Sequence, residues 1–291
     1  MADTPNVSVI VPVYNGATTI DACIQSLLDL DYPTEQRELI FVDNASTDKT
    51  PEILSNYQPK IRVAFEAKRG PAAARNCGLR AARYEIVAMT DADCTVDHHW
   101  LRRLVKPFDD PGVGLIGGTI LSKHPCNSVE RFGERIHDHR MPIEVWMPPY
   151  VITMNWASRQ ALLKDVDLFD ENFIRCEDVD LAYREFERGA KFVFAADAIV
   201  YHRNENSLGD LFREGYLHGF YSVQAIKKHK RLLERFGHRR FQAASYVDLL
   251  KSLKDSVFCR RSDQARCDFT FNSGKKLGKL CGSVRFGHLD L

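Results

Sequence analysis

Short apolar, β-branched segments alternate with helical segments along the first hundred residues. The predicted strands are 7–13, 38–42, 61–65 and 85–89. Between them lie stretches of helical periodicity such as 17–30, whose apolar residues fall on one helical face. Strands separated by helices at this spacing form right-handed βαβ units. The sequence therefore predicts an α/β fold with a mostly parallel sheet flanked by helices.

The rest of the chain predicts an irregular insert and a basic tail. Further strands are predicted at 113–118, 150–156 and 191–194. Residues 119–149 are irregular, and a helix is expected to begin near Glu177. From Leu208 onward the pattern is helical, and residues 203–291 carry a net charge of +9 in a chain whose net charge is only +1. We interpret 207–291 as a basic helical C-terminal extension rather than a second core.

Composition excludes several classes of protein. Hydrophobic residues make up 44% and charged residues 27% of the 291 residues, which excludes a disordered or low-complexity chain. The longest uniformly apolar stretch, Val7–Val13, is far shorter than the roughly 20 residues that cross a bilayer. The eight cysteines form no C-x-x-C pair, so neither a disulfide framework nor a zinc site is expected. Because no export signal opens the chain, we expect a cytoplasmic protein with reduced thiols.

Polar clusters at 14–16, 43–48 and 91–93 follow three of the predicted strands, and the carboxyl ends of parallel strands meet at one edge of a sheet. Asp91-Ala92-Asp93 ends the fourth strand, and residues i and i+2 of an extended chain point to the same side. Two such carboxylates make a half-site for Mg²⁺ or Mn²⁺. The alternative is an ordinary turn.

Two further segments are candidates for ligand binding. The segment 43–48 can cap a helix, or Asp43 and Asn44 can hydrogen-bond a base or ribose. In the segment 69–76, small residues would let a ligand approach a helix, and Arg75 offers a cation unless it lies on the surface.

Two residues in the second half of the chain have both a structural and a chemical interpretation. Asp178 lies in the acidic first turn of a predicted helix, where it can stabilise the helix dipole or serve as a general base. His202 ends a predicted strand, and it becomes a metal ligand only if it lies at the same edge as Asp93.

The order of these motifs resembles that of family 2 glycosyltransferases, which have the GT-A fold, over roughly residues 7–203. The segments that carry the resemblance are 7–15, 42–48, 74–79, 90–93 and 177–181. The resemblance implies a catalytic domain over 1–206, with a nucleotide-sugar half (about 1–118) and an acceptor half (about 119–206). It implies nucleotide-sugar contacts by Pro12, Tyr14, Asp43, Asn44, Arg75 and Asp91. It also implies a Mn²⁺ or Mg²⁺ site at Asp93 and His202, and Asp178 as the general base.

The implied activity is inverting transfer of a hexosyl or N-acetylhexosaminyl group from a nucleotide-sugar to a hydroxyl acceptor. Many relatives have Asp-Asp where this chain has Asp43-Asn44, so the base stays open: we expect a UDP-sugar, with GDP- and dTDP-sugars as alternatives. The Gln-x-x-Arg-Trp motif of processive synthases is absent after Asp178, which favours transfer of single sugars. A sugar nucleotidyltransferase is the first alternative, but the Gly-rich loop of such enzymes is missing after Val13. A non-catalytic membrane-binding relative is the second.

The acceptor is expected to be a saccharide or a lipid-linked glycan. The candidate acceptor contacts are Trp146, Asn155, Trp156 and Glu177, and burial in the core is the alternative for the two tryptophans and Asn155. In the tail, the basic segment 227–236 interleaves Leu232, Leu233 and Phe236. This segment either lies peripherally on the inner face of the membrane or packs on the protein. Nucleic acid is not expected as a partner, since a nucleic-acid-binding module would not explain three polar clusters at one edge.

Overall fold

A computed structural model describes residues 4–238 and 263–290, together with 247, 250, 251 and 253–255. Its strands are β1 Val7–Val13, β2 Arg37–Asp43, β3 Arg62–Phe65, β4 Ile86–Thr90, β5 Cys94–Val96, β6 Val113–Ser122, β7 Asn155–Arg159 and β8 Lys191–His202. Its first helices are α1 Ile20–Leu28, α2 Thr50–Asn56, α3 Pro71–Ala81, α4 Trp100–Val105, α5 Ser128–Ile136 and α6 Arg140–Glu144. The later helices are α7 Gln160–Asp165, α8 Glu177–Glu187, α9 Leu208–Lys228, α10 Lys230–Arg235 and α11 Asp263–Phe286. Short 3₁₀ turns occur at Thr34–Gln36 and Lys106–Asp109.

The eight strands form one mixed sheet in the order β3-β2-β1-β4-β7-β6-β8-β5. Strands β3, β2, β1 and β4 are parallel, as the βαβ pattern predicts. Strand β7 is antiparallel to both β4 and β6, and β5 is antiparallel to β8. The parallel half therefore brings the ends of β1, β2 and β4 to one edge, and the other half of the sheet extends past β4.

Four strands differ from the prediction by more than one residue at an end. Strand β6 continues beyond Gly118 to Ser122. The three-residue strand β5 was not predicted. The apolar stretch 150–156 is a strand only from Asn155, because earlier backbone groups bond elsewhere: the amide of Ile152 donates to the Nε2 of His139. Strand β8 continues beyond Phe194 to His202, where it pairs with β5.

Alternate residues of the central strand pack into different apolar clusters. Val7, Val9 and Val11 belong to a cluster with α1 and α4, while Ile10 belongs to a cluster with α3 and α8. Successive side chains of a strand point to opposite faces, so each face of the sheet is buried under helices. This double burial explains why the predicted strands are continuous apolar runs.

The chain divides into two compact units. The sheet unit comprises residues 1–121 and 137–202, and the helical unit comprises 122–136 and 203–291. Residues 122–136, which contain α5, group with 203–291. The acceptor half over about 119–206 stays a prediction. The helical unit has a small apolar cluster of its own, made by Val129, Phe132, Leu211, Cys267 and Phe271.

The apolar residues of the basic segment 227–236 are mostly buried. Leu232 and Leu233 are 3% and 7% exposed, which favours the packed interpretation over the membrane interpretation of this segment. Within the part of the chain that the structure describes, no helix has the length and apolar character needed to span a bilayer. All seven cysteines at described positions are free thiols, and Cys259 lies outside them.

Glycines allow α9 and α11 to pack backbone against backbone. A Cβ atom added at Gly274, Gly278 or Gly282 would lie 2.2, 2.0 or 2.4 Å from the carbonyl oxygens of successive residues four apart on α9. Gly215 and Gly219 face α11 in the same way. The matching order along both helices shows that they run parallel, in contact through their small residues.

We expect Gly278→Ala to destabilise the helical unit by about 1–3 kcal/mol, because the new methyl group would force the two helices apart. Gly209→Ala is the matched control: its nearest neighbour would be 3.8 Å away, so stability should be unchanged or slightly raised. Urea unfolding measures both variants. It is followed by far-UV circular dichroism and not by tryptophan fluorescence, because all three tryptophans lie in the sheet unit. Equal stabilities of the two variants would contradict the close packing.

Candidate functional site

A cleft of about 710 Å³ opens at the carboxyl edge of the parallel strands. Its lining comes from the ends of β1, β2 and β4, from the start of α3 and from the loop before α8. The residues that line it include Pro12, Tyr14, Asn15, Asn44, Arg69, Arg75, Asp91, Asp93 and Ile174. The structure thus brings together the clusters that the sequence placed on one edge.

Polar side chains after β2 fasten the loop after β1. The Thr47 amide donates to Asn15 Oδ1 at 2.8 Å, and the Asn15 amide donates to Ser46 Oγ at 3.0 Å. Asp43, which is 6% exposed, accepts from the Ser46 amide through Oδ1 at 3.1 Å. Most of the segment 43–48 therefore has the structural role that the sequence left open, and it holds the floor of the cleft rigid.

Asn44 holds a loop in place and does not offer its amide hydrogens to a ligand. Its Nδ2 donates to the carbonyl oxygens of Glu66 and Lys68 at 3.0 and 2.8 Å, and its Oδ1 accepts from the Gly70 amide at 2.8 Å. Both amide hydrogens are used, so the predicted hydrogen bond to a base or ribose would have to be accepted by Oδ1, which has a second acceptor position. Gly70 has φ +142°, a conformation that only glycine adopts readily. Asn44 therefore acts by fixing the start of α3.

The mouth of the cleft carries a stacked cation and ring. The guanidinium of Arg69 lies 3.4 Å from the ring centroid of Tyr14, and 46% of Tyr14 is exposed. Such a flat, cationic surface can stack on a base or attract a phosphate. Arg75 is the predicted cation of this segment, but Arg69 is the one exposed to solvent in the structure. The order of residues along the chain does not predict that Arg69 stacks on Tyr14.

Arg75 is buried, and it joins the two halves of the site. Its Nη2 donates to Asp91 Oδ1 at 3.0 Å and its Nη1 donates to Glu177 Oε1 at 2.5 Å. Only 5% of the residue is exposed, and a guanidinium buried to this extent requires carboxylate partners. The guanidinium therefore does not point freely at a nucleotide. It connects Asp91, which follows β4, to Glu177 at the start of α8.

The pairing of β5 with β8 places His202 beside Asp93. Cys94 is the partner of His202 in that ladder, and His202 Nε2 lies 3.4 Å from Asp93 Oδ2. Burial raises the pKa of Asp93, but the hydrogen bond and charge of His202 outweigh burial and leave it lowered. Ligand atoms of Asp93, Cys94 and His202 lie within 4.8 Å of one another. Burial and the nearby aspartates raise the pKa of Cys94 well above its usual value, so the oxygen and nitrogen atoms are the available ligands.

Asp178 lies at the start of α8, next to the buried Glu177. Cys176, the residue before α8, has a left-handed φ of 64°, and strained backbone of this kind is frequent at functional sites. Asp178 is half-buried, and its charge acts on Arg75, Glu177 and Tyr150, which places its carboxylate close to all three. Burial, with a smaller contribution from Asp178, raises the pKa of Glu177 to about 7 although Arg75 lowers it. Of the two carboxylates, Asp178 is the more accessible.

The candidate acceptor contacts divide into exposed and buried residues. Trp146 is 48% exposed, whereas Trp156 is 1% exposed and lies 6.2 Å from the Phe169 ring. Asn155 is fully buried, and its side chain bonds Trp100 and the carbonyl oxygens of Thr119 and Ala198. Asn155 and Trp156 are therefore core residues and cannot touch an acceptor. Glu177 is 6% exposed and is occupied by Arg75.

Comparison with known proteins identifies similar sequences. The family model for glycosyl transferase family 2 matches residues 8–167, more than half of the chain. The glycosyltransferase AglE of Haloferax volcanii is 30% identical over 242 residues, which cover 81% of this chain and 77% of AglE. The pre-mycofactocin glycosyltransferase of Mycobacterium tuberculosis is 30% identical over 76% of this chain, which spans 48% of that protein.

Solved structures show the same fold. The mannosyltransferase PcManGT of Pyrobaculum calidifontis, solved with GDP-mannose and Mn²⁺, matches with a TM-score of 0.74 and 21% identity. The match covers 97% of this chain and 88% of PcManGT. Staphylococcus aureus TarS with UDP-GlcNAc matches with a TM-score of 0.58 and 19% identity, covering 97% of this chain and 92% of the TarS chain. These matches confirm the predicted α/β architecture of the GT-A type.

Proposed function

The chain belongs to glycosyltransferase family 2, and on that premise we propose that it transfers a single sugar from a nucleotide-diphosphate sugar to a hydroxyl acceptor with inversion. The observation that carries the proposal is the arrangement of Asp91, Arg75 and Glu177. This bridge joins the motif that would hold the donor to the helix start that bears Asp178. A donor site and a proton acceptor are thus held at one edge of one sheet.

Asp178 is the general base in this proposal. A sugar hydroxyl is a weak acid, so a carboxylate within about 3 Å must accept its proton as the hydroxyl attacks the anomeric carbon. The half-buried position of Asp178 supports this role. Arg75 keeps the neighbouring Glu177 fixed, and it thereby orients the first turn of α8.

Asp93, which follows β4, and His202, at the end of β8, fit a divalent cation. Asp93 supplies a carboxylate that is 45% exposed towards solvent, and His202 supplies a ring nitrogen 3.4 Å away. Carboxylate and imidazole ligands suit Mn²⁺, and carboxylates also suit Mg²⁺. When bound, the ion would neutralise negative charge on the departing diphosphate.

The proposed donor is a nucleotide-sugar whose base stacks near Tyr14 and Arg69, with Pro12 and Asp43 beneath it. PcManGT and TarS were solved with nucleotide-sugars of different bases, so the base is left for the experiment to decide. A hexose or N-acetylhexosamine is the proposed sugar, and a saccharide or lipid-linked glycan is the proposed acceptor.

Thermal stabilisation by nucleotide-sugars tests the donor site. The full chain is heated with UDP-, GDP- and dTDP-sugars, each with Mn²⁺, Mg²⁺ or chelator. A donor at 100 times its Kd stabilises the folded state by about 2.7 kcal/mol. Stabilisation that needs both sugar nucleotide and metal supports the proposal, and its absence for every donor contradicts it. The anomeric configuration of the released or transferred sugar, followed by NMR, then tests inversion.

We expect Asp93→Ala to abolish the metal-dependent part of donor stabilisation while the protein stays folded. The Asp93 carboxylate is partly exposed and contacts His202 and the Cys94 thiol, so its removal breaks no buried ion pair. Isothermal titration with Mn²⁺ and the donor measures the effect, and Asp97→Ala, an exchange of another partly exposed carboxylate near β5, is the control. A normal Mn²⁺ response in Asp93→Ala would exclude this residue as a ligand.

A further inference from the structure

Exposed apolar side chains of the sheet unit are concentrated in one short segment. Among its described residues, seven large hydrophobic side chains are exposed, and four of them lie in residues 141–147. These four, here called the apolar patch, are Met141, Val145, Trp146 and Met147, which are 41%, 58%, 48% and 53% exposed. Monomeric proteins usually scatter such residues, so a cluster indicates a binding surface.

The apolar patch is held rigidly next to α8. The amides of Val145 and Trp146 both donate to the Met141 carbonyl, at 3.1 and 3.0 Å, which closes the end of α6. The Trp146 ring lies 5.9 Å from the Tyr150 ring. Tyr150 in turn packs on the apolar cluster that includes Leu181, one turn beyond Asp178 on α8.

Electrostatics also connects the patch to the proposed base. Burial, and then the charges of Tyr183 and Asp178, raise the pKa of Tyr150. The chain of neighbours therefore runs from Trp146 through Tyr150 to Asp178. Ile174, which is 60% exposed and lines the donor cleft, is an exposed apolar residue shortly before α8.

We infer that the apolar patch binds the hydrocarbon part of an amphiphilic acceptor, whose sugar or hydroxyl end then reaches Asp178. The inference rests on the proposed function and gives its acceptor a chemical class, a long-chain glycoside or lipid-linked glycan. The charged residues that lie closest to the patch in sequence are Asp138, Arg140 and Glu144, which sum to a net charge of −1, and Arg140 is paired with Glu144. This balance favours a single amphiphile over an anionic bilayer. A surface that docks on anionic lipid carries several unpaired cations.

Tryptophan fluorescence tests this inference without any turnover. Trp100 and Trp156 are buried, so a shift in the emission of the native protein reports on Trp146. Alkyl glycosides with chains of six to twelve carbons are titrated below their micelle concentrations. We expect a blue shift and a Kd that falls up to about fourfold for each added methylene that is buried.

Matched variants locate the binding surface. Met147→Ser and Val145→Ser keep the fluorophore, and each should weaken the Kd for the dodecyl glycoside about tenfold, which equals 1.4 kcal/mol. Phe65→Ser is the control, because Phe65 is similarly exposed but lies at the end of β3, outside the patch. All three positions are on the surface, so the variants are expected to fold.

Three outcomes would overturn the inference: no shift at any chain length, equal affinity in the two patch variants and the wild type, or a shift with phosphatidylcholine vesicles but not with monomeric glycosides. The last would identify a bilayer-binding surface. Donor stabilisation is measured on the same samples. Stabilisation by a nucleotide-sugar without a glycoside shift refutes the acceptor class alone, whereas the loss of donor stabilisation refutes the proposed function.

Discussion

Asp178→Asn should bind nucleotide-sugar and metal almost as the wild type does and lose about 10²-fold or more in kcat. The substitution keeps the shape of the side chain and its capacity to accept from the Val179 amide, a bond of 2.8 Å in the wild type. It removes the carboxylate that would accept the proton. Because asparagine and aspartate are similar at helix starts, the melting temperature should change by only a few degrees.

Glu177→Gln is the matched variant, one residue away on the same turn. The glutamine side chain would still accept from Arg75 through its oxygen, so kcat should fall less than in Asp178→Asn. The main effect of this variant should be weaker donor binding, because the bridge from Arg75 loses one of its charged partners. Steady-state kinetics and donor titration separate the two effects. Near-normal kcat in Asp178→Asn would assign Asp178 to the helix dipole and leave the proposed reaction without its base.

The parallel half of the sheet was predictable because its strands are buried on both faces. The run Val7–Val13 is a strand over the same residues in the structure, and β2 and β4 differ from prediction by one residue at each end. The antiparallel half was less predictable. Strand β8 contains Ala195, Ala196 and Asp197, which have low strand propensity, and pairing with neighbouring strands keeps them extended.

The parts of the site that directly follow a strand in the sequence were predictable. Asp91 and Asp93 follow β4, and the sequence alone places them at the edge. The partners of Arg75 and Asn44 lie 16 to 102 positions away in the sequence. Hydrophobic periodicity reports on local structure and does not predict such distant contacts. The burial of Trp156 was not predictable either, because an aromatic residue on a strand can face either a sugar or the core.

Glu185 is a buried carboxyl group without a hydrogen-bond partner among the described residues. It lies on α8, is 1% exposed, and neither of its carboxyl oxygens has a hydrogen-bond partner in the described part of the chain. Burial raises its pKa to about 8, and the charge of Arg184 only partly opposes this. The folded protein therefore holds Glu185 protonated at neutral pH, whereas the unfolded chain releases the proton near the ordinary pKa of about 4.3.

This difference predicts how stability depends on pH. Between about pH 4.3 and 8 the unfolded state binds fewer protons than the folded state, so Glu185 makes the free energy of unfolding fall as pH rises. The slope is about 1.4 kcal/mol per pH unit for one proton, and the total reaches about 5 kcal/mol as an upper bound.

Glu185→Met removes the proton-binding group and keeps a similar volume. Its gain in unfolding free energy over the wild type should therefore grow from pH 5 to pH 8 and become constant above that. Urea unfolding at pH 5, 6, 7 and 8 measures the difference, in which the contributions of all other groups cancel. Glu187→Met, an exchange at an exposed position two residues further along α8, is the control and should show a difference independent of pH. A constant difference for Glu185→Met as well would mean that Glu185 is ionised in the folded protein, and that the interior near the end of α8 stabilises a charge.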